Sequence, residues 1–149
     1  VFARDGDMVP LSLIKSQEPA PSVQVLKPET ARAMRKMLEM ATSPEGTAPQ
    51  ARVPGYRVAG KTGTALKLRN GHYVKEYIAS FVGFAPASDP RVVVAVMIDE
   101  PRAGGYYGGV VAAPVFGQVV AGTMRTLQID PDTPLAPAKG PMMAMGSTR

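Results

Sequence analysis

The sequence has no cysteine and a single histidine, His72. The lack of cysteine excludes disulfide bonds and thiolate metal sites. One histidine cannot form a cluster of ligands either, so we expect neither a metal ion nor another cofactor. His72 follows the turn signal formed by Asn70 and Gly71, where we expect a solvated side chain rather than a catalytic base. The adjacent carboxylates Asp99 and Glu100 lie at a predicted strand end and face opposite sides, which argues against a paired acid/base site.

Long apolar runs and clusters of charge are also lacking. No run approaches the roughly 18–20 residues of a membrane span, and we expect no signal peptide in this segment and no requirement for membrane contact. Seventeen basic and twelve acidic residues give a net charge of +5. The basic residues are scattered singly, which favours a basic face toward an anionic substrate or surface over nucleic-acid binding. Because the chain starts at Val1 and not at a methionine, we expect it to be a piece of a longer protein.

Two amphipathic helices are predicted. The first covers "LKPETARAMRKMLEMAT", where Pro28 suits the first helical position and Glu29 the positive N-terminal end. Its spacing predicts a buried face formed by Met34, Met37, Leu38 and Ala41. The second helix has an apolar stripe that should also be buried, formed by Val115, Phe116, Val119, Val120, Met124 and Leu127.

Three extended runs between the helices predict a sheet. Two of them, 56–68 and 73–84, flank the hairpin signal, and the third, "RVVVAVMID", is apolar throughout and should be buried on both faces. We therefore predict an α/β fold of the α+β type, with an antiparallel meander of about three strands and two main helices. The glycine-rich "EPRAGGYYGG" should be a mobile loop. Residues 1–130 form the predicted domain, and the Pro/Ala/Met-rich residues 131–149 a disordered tail.

The stretch "GYRVAGKTGTA" fits two different motifs. From Gly55 to Thr62 it matches the phosphate-binding loop G-x-x-x-x-G-K-[ST], and from Lys61 to Gly63 it reads K-T-G, a motif of the serine enzymes that react with penicillin. A phosphate loop needs a buried strand before it and a helix that begins near the lysine. Here the loop-like "GTAPQARVP" precedes the motif and a hairpin follows it. The context favours K-T-G and leaves a nucleotide hydrolase as the disfavoured alternative.

In a K-T-G strand each residue has a physical task. Lys61 supplies a fixed positive charge beside a nucleophile and a substrate carboxylate, and Thr62 and Thr64 supply hydroxyls to that carboxylate. Gly63 removes a side chain, so that substrate backbone can lie against the strand. The N–H of Thr64 can serve as one of two oxyanion donors, a contribution of roughly 3–4 kcal/mol in the transition state. We therefore predict Lys61 and Thr64 as catalytic, and Thr62, Gly63 and Thr64 as substrate-binding.

Long phrases around this motif resemble one protein family. They are "RVPGYRVAGKTGTA", "FVGFAPASDPRVVVAVMIDEP" and "GGYYGGVVAAPVF", followed by the last helix. They are similar to the C-terminal part of the transpeptidase domain of class B penicillin-binding proteins of the division (FtsI) type, from about Val1 to Pro131. The resemblance implies the antiparallel sheet of the penicillin-binding and serine β-lactamase-like fold. It also implies that Tyr77, Tyr106 and Tyr107 border the cleft as substrate-binding residues, whereas the residue pattern alone is equally consistent with packing in the sheet and loop.

The resemblance also implies a function. Such an enzyme lies on the periplasmic side of the bacterial inner membrane, anchored by an N-terminal helix that this chain does not contain. It cross-links peptidoglycan stem peptides ending in D-Ala-D-Ala through an acyl-serine intermediate, and β-lactam antibiotics acylate it. Other cell-division proteins would be its partners. A different class of protein is still open, namely a non-catalytic binding or scaffold module with the same fold that docks onto division partners.

Two motifs that the family requires are not in their place. S-x-N does not occur, and S-x-x-K occurs once, from Ser12 to Lys15. In the family this motif begins a buried helix and precedes K-T-G by many more residues. Here Ser12 follows Pro10 in an extended context, and too few residues separate it from Lys61 along the sequence. We therefore interpret Ser12 as a chance match. We expect the nucleophile to be absent from this chain and the isolated chain to be inactive.

Overall fold

The computed structural model describes residues 1–14, 18 and 20–134. Its N-terminal part has one long helix, α1, which begins at Pro28 as predicted, because a proline at the first helical position loses no internal hydrogen bond. The elements of this part are, in chain order, a 3₁₀ turn Phe2–Arg4, β1 (Asp7–Met8), β2 (Val23–Gln24), α1 (Pro28–Met40) and a second 3₁₀ turn Pro49–Ala51. None of the helices in the described ranges is both long enough and apolar enough to span a bilayer.

The main sheet confirms the predicted antiparallel meander. Strands β3 (Ala59–Arg69), β4 (His72–Ala85) and β5 (Val92–Asp99) are hydrogen-bonded in the order β3-β4-β5. Asn70 and Gly71 connect β3 to β4 with φ values of 50° and 80°. A two-residue type I′ hairpin turn requires such left-handed values at both residues, and asparagine and glycine adopt them at low cost.

One face of the sheet packs against the C-terminal helices α2 (Gly108–Val111) and α3 (Ala113–Thr126). Phe81 of β4 meets Phe116 of α3 edge to face, with ring centroids 4.7 Å apart. The predicted stripe on α3 is correct for Phe116, Val120 and Met124, which are fully buried. It is wrong for the other three positions, because only one side of α3 faces the sheet, and the exposed side chains are Val115, Val119 and Leu127.

On the opposite face of the sheet, the described residues form a buried cluster at one end. There Ala59, Phe84 and Ala87 are buried, with Leu38 of α1 packed on them. The prediction that β5 is buried on both faces is wrong, since its residues alternate between half-buried and exposed and Met97 is 73% exposed. The predicted buried face of α1 is also wrong in part. Met34, Leu38 and Ala41 are half-buried and Leu38 packs on the sheet, but Met37 is exposed, and among the described residues of the helix Ala31 alone is fully buried.

The chain after α3 stays attached to the domain beyond residue 130. The backbone N–H groups of Asp132 and Thr133 both donate to the carbonyl oxygen of Gly55, at 3.0 and 3.2 Å. The predicted boundary of the disordered tail is therefore too early by these residues. The rest of that segment, 135–149, lies outside the described residues, and its disorder stays a prediction.

Candidate active site

Lys61, Thr62 and Gly63 lie near the beginning of β3, opposite Val82, Phe81 and Ser80 of β4. Within the described part of the chain β3 pairs with β4 alone, so its second edge has no strand partner. The Lys61 side chain is exposed. Its ammonium donates to the carbonyl oxygen of Thr62 at 3.1 Å and to the Thr62 hydroxyl at 3.3 Å. No carboxylate in the described ranges is within ion-pair distance of Lys61, so its charge is available to a ligand.

This geometry does not fit a phosphate-binding loop. Gly55 has a φ of 82° and sits in a turn, but Lys61 and Thr62 lie inside a continuous strand. A phosphate loop instead presents successive N–H groups at the start of a helix that begins at the lysine. The strand runs on to Arg69 and into a hairpin, so the nucleotide-hydrolase alternative loses its structural basis.

The start of α2 lies directly against the K-T-G strand. The N–H of Gly108 donates to the Thr64 hydroxyl at 3.1 Å. A Cβ on Gly108 would lie 2.1 Å from the carbonyl oxygen of Ser80 and 2.5 Å from that of Gly63. Only glycine permits an approach this close. The start of α2 therefore fixes the middle of the K-T-G strand from one side.

The predicted mobile loop "EPRAGGYYGG" includes Gly108 and Gly109. That prediction is wrong for these two residues, because both are buried and begin α2. Gly104 and Gly105, the first pair in "GGYYGG", are exposed and have φ values of 76° and 111°, as a loop would have. The available signal was the run of small and apolar residues that follows the second pair, which is typical of a helix packed closely on other backbone.

Gly63 leaves room for a side chain of the neighbouring strand. A Cβ at this position would lie 2.4 Å from the Ser80 hydroxyl oxygen. The predicted reason for a glycine here is the approach of a substrate backbone. The structure adds a reason within the protein, since any larger residue would displace Ser80 or separate β3 from β4.

The three tyrosines form one cluster on the same side of the sheet as Thr64, with Tyr77 and Tyr106 half-buried and Tyr107 exposed. Tyr77 lies on β4, and its ring stacks on that of Tyr106 with centroids 4.0 Å apart. The ring of Tyr107 lies beside that of Tyr106, with centroids 4.5 Å apart, and the two hydroxyl oxygens are 3.3 Å apart. The hydrogen bond with Tyr106 raises the pKa of Tyr107. Because Tyr77 and Thr64 occupy positions of like parity across the β3–β4 register, their side chains point to the same face.

The other end of the strands is held by an ionic network. The Lys67 ammonium contacts Asp99 at 2.9 Å and Glu100 at 2.6 Å, and Arg69 contacts Glu76 and Glu100. The hydrogen bond from Lys67 is the main cause that lowers the pKa of Glu100, and the same contact raises the pKa of Lys67. The expectation that Asp99 and Glu100 face opposite sides is wrong, because Glu100 lies just past the end of β5 with a φ of 49° and both carboxylates reach the same ammonium. Both carboxylates are engaged in ion pairs.

Ser12 lies outside every helix and strand. Its hydroxyl donates to the carbonyl oxygen of Ile14 at 2.8 Å and accepts the N–H of Ile14 at 3.1 Å. Lys15, the last residue of the S-x-x-K match, lies outside the described residues. A nucleophile of this type would lie at the start of a helix, and no helix begins at Ser12. That Ser12 is not the nucleophile stays a prediction.

Comparison with known proteins points to one family. Residues 1–121 match the model of the penicillin binding protein transpeptidase domain. The probable peptidoglycan D,D-transpeptidase PbpC of Pseudomonas aeruginosa is 49% identical over 133 residues, which cover 89% of this chain and 24% of the relative. The peptidoglycan D,D-transpeptidase FtsI of Escherichia coli is 45% identical over 124 residues, which cover 83% of this chain and 21% of the relative.

Solved structures agree with these relatives. The apo transpeptidase domain of penicillin-binding protein 3 from Burkholderia pseudomallei superimposes with a TM-score of 0.81 at 48% identity, covering 89% of this chain and 41% of that one. The mixed fold of helices and an antiparallel sheet is therefore that of these transpeptidase domains. The chain spans between about a fifth and a third of the length of the curated relatives that it matches.

Proposed function

Because the chain belongs to the penicillin-binding protein transpeptidase family, we propose that it forms the K-T-G side of the active site of a peptidoglycan D,D-transpeptidase. We use "parent protein" for the longer polypeptide of which this chain would be a C-terminal part. The parent protein cross-links stem peptides ending in D-Ala-D-Ala through an acyl-serine intermediate, and β-lactams acylate the same serine. The observation that carries the proposal is strand β3, which in the described part of the chain has one free edge and a Lys61 without an ion-pair partner, and whose Thr64 hydroxyl lies on the same face as the tyrosine cluster.

Each part of this surface has a task in acyl transfer. Lys61 attracts the substrate carboxylate and keeps positive potential beside the nucleophile. The hydroxyls of Thr62 and Thr64 orient that carboxylate, and the N–H of Thr64 donates to the oxyanion as negative charge develops there. Tyr77, Tyr106 and Tyr107 form a wall against which the acyl side chain of the substrate packs.

The nucleophile comes from polypeptide outside this chain. We propose that the parent protein works on the periplasmic side of the bacterial inner membrane, in cell division, together with other division proteins. This part of the proposal rests on the resemblance of the sequence to division-type enzymes. The alternative, a non-catalytic scaffold module of the same fold, predicts that the parent protein does not react with β-lactams at all.

Replacing Lys61 and Thr64 in the parent protein tests the proposal. Lys61→Ala and Thr64→Ala should each lower the second-order rate of acylation by a fluorescent penicillin by more than about tenfold, which corresponds to about 1.4 kcal/mol. Lys75→Ala is the matched control, since Lys75 is another exposed lysine of the same hairpin and lies at its far end. A loss below tenfold in both variants, or an equal loss in Lys75→Ala, contradicts the assignment. A wild-type parent protein that is never acylated favours the scaffold alternative.

A further inference from the structure

The K-T-G residues lie close to the open end of a hairpin. The turn at Asn70 and Gly71 closes the β3–β4 hairpin at one end, whereas Lys61 is only two residues from the start of β3 at the other. The ends of paired strands open more easily than their middles. Whatever joins the entry into β3 to the exit from β4 therefore controls how firmly Lys61 is held.

Asp132 makes that connection. Its Oδ1 accepts the backbone N–H of Arg57 at 2.7 Å, two residues before β3 begins. Its Oδ2 accepts the hydroxyl of Ser88, three residues after β4 ends, and lies 3.4 Å from the backbone nitrogen of the same residue. A charged carboxylate gives hydrogen bonds that are roughly twice as strong as those between neutral groups. We call these contacts the Asp132 clamp.

Neighbouring contacts hold the clamp and the entry into β3 in place. The N–H of Asp132 donates to the carbonyl oxygen of Gly55 at 3.0 Å, so both its backbone and its side chain are attached to the same short segment. The carbonyl oxygen of Arg57 accepts the N–H of Ala87 at 2.8 Å. The guanidinium of Arg57 pairs with Glu39 of α1 at 2.8 Å. One residue further on, the carbonyl oxygen of Val58 accepts the buried hydroxyl of Thr42 at 2.7 Å. The segment is thus fixed on several sides. The backbone of Arg57 reaches Ala87 just after β4, and Asp132 adds a second link through its side chain to Ser88.

We propose that Asp132 is a positioning residue for the K-T-G strand, a role that rests on the function proposed above. It does not touch the reacting atoms, and it acts through Arg57 and the first residues of β3 on Lys61 and the N–H of Thr64. Asp132 lies beyond residues 1–121, which the family model matches. Displacements of about 1 Å at a reacting group cost as much as about 100-fold in rate, so a clamp that prevents partial opening of this end has a measurable effect.

The test is the acylation kinetics of Asp132→Ala in the parent protein with a fluorescent penicillin. The rate constant of acylation should fall about tenfold, while the fraction of molecules labelled at completion stays as in the wild type. Asp132→Asn should recover most of the rate, because its amide oxygen still accepts the N–H of Arg57 and its amide group can donate to Ser88. Asp130→Ala is the matched control, since Asp130 is an exposed acid two residues away with no side-chain contact in the described ranges.

The outcomes separate the clamp from the proposed function. A wild-type protein that is not acylated contradicts the proposed function. If the wild type is acylated, a rate constant for Asp132→Ala within twofold of it overturns the clamp, as does a lower labelled fraction with an unchanged rate constant. Should Asp132→Ala fail to fold, Ser88→Ala removes only the hydrogen bond between the Ser88 hydroxyl and Asp132. A reduced rate constant in Ser88→Ala supports the clamp, and an unchanged one overturns it.

Discussion

Replacing Gly108 by alanine measures how strongly the start of α2 determines the geometry of the K-T-G strand. The added Cβ would lie 2.1 Å from the carbonyl oxygen of Ser80 and 2.5 Å from that of Gly63. Both oxygens belong to the backbone of paired strands, so neither can rotate away as a side chain would. An ordinary contact requires about 3.4 Å, and the helix and the strands must therefore separate by about 1.3 Å.

Such a separation should affect both stability and rate. Overpacking of this kind costs about 1–3 kcal/mol of folding free energy. The hydrogen bond from the Gly108 N–H to the Thr64 hydroxyl, 3.1 Å long, would be lost. Because a shift of about 1 Å can cost about 100-fold in rate, Gly108→Ala in the parent protein should lower the acylation rate constant by about that factor.

Gly122→Ala is the matched control. Gly122 lies inside α3, and a Cβ there would meet no atom within 4 Å in the described part of the chain. Alanine is the better helix former, so this variant should be neutral or more stable by about 0.5–1 kcal/mol. Thermal unfolding and penicillin acylation are measured on both variants. A Gly108→Ala protein with wild-type melting temperature and a rate within twofold of wild type refutes the reasoning.

Two further predictions concern Ser12 and Glu100. Ser12→Ala in the parent protein should leave acylation unchanged, because the Ser12 hydroxyl lies in an exposed turn with Ile14, and an acyl adduct located on Ser12 by mass spectrometry would contradict this. The hydrogen bond from Lys67 holds the pKa of Glu100 below its ordinary value of 4.5, so the charged pair stabilises the fold above that pH and the stabilisation is lost as the pH falls through the lowered pKa. The difference in melting temperature between the wild type and Glu100→Gln should therefore shrink as the pH falls below 4.5, and a difference that does not change with pH would count against it.

The sheet could be predicted from sequence because its signals are local. Asn70 and Gly71 adopt the left-handed backbone that the hairpin requires, and the β-branched and aromatic runs on both sides of the turn form the expected strands. The position of Lys61 at the beginning of an edge strand followed from these signals. Pro28 marked the beginning of α1 for an equally local reason, since it sits where its missing N–H costs nothing.

The contacts that shape the site could not be predicted, because they join distant parts of the chain. Gly108 is 44 residues from Thr64, and Asp132 is 75 residues from Arg57, and no local pattern marks either contact. The prediction that both faces of β5 are buried was wrong for a related reason. Val93 and Met97 make β5 apolar on both sides, yet what covers the second side is a property of packing and not of the strand's composition.

The central claim is that this chain supplies the lysine and one oxyanion donor but not the serine. The most direct measurement is labelling by a fluorescent penicillin of three samples, namely this chain alone, an upstream fragment of the parent protein that carries S-x-x-K and S-x-N, and their mixture. Among residues 1–14, 18 and 20–134, the second edge of β3 has no strand partner and one apolar face of β5 is exposed, which gives the upstream fragment a surface on which to complete the fold. We predict that this chain is not labelled in any sample and that the upstream fragment is labelled only, or far more rapidly, in the mixture. Covalent label on this chain by itself would contradict the account.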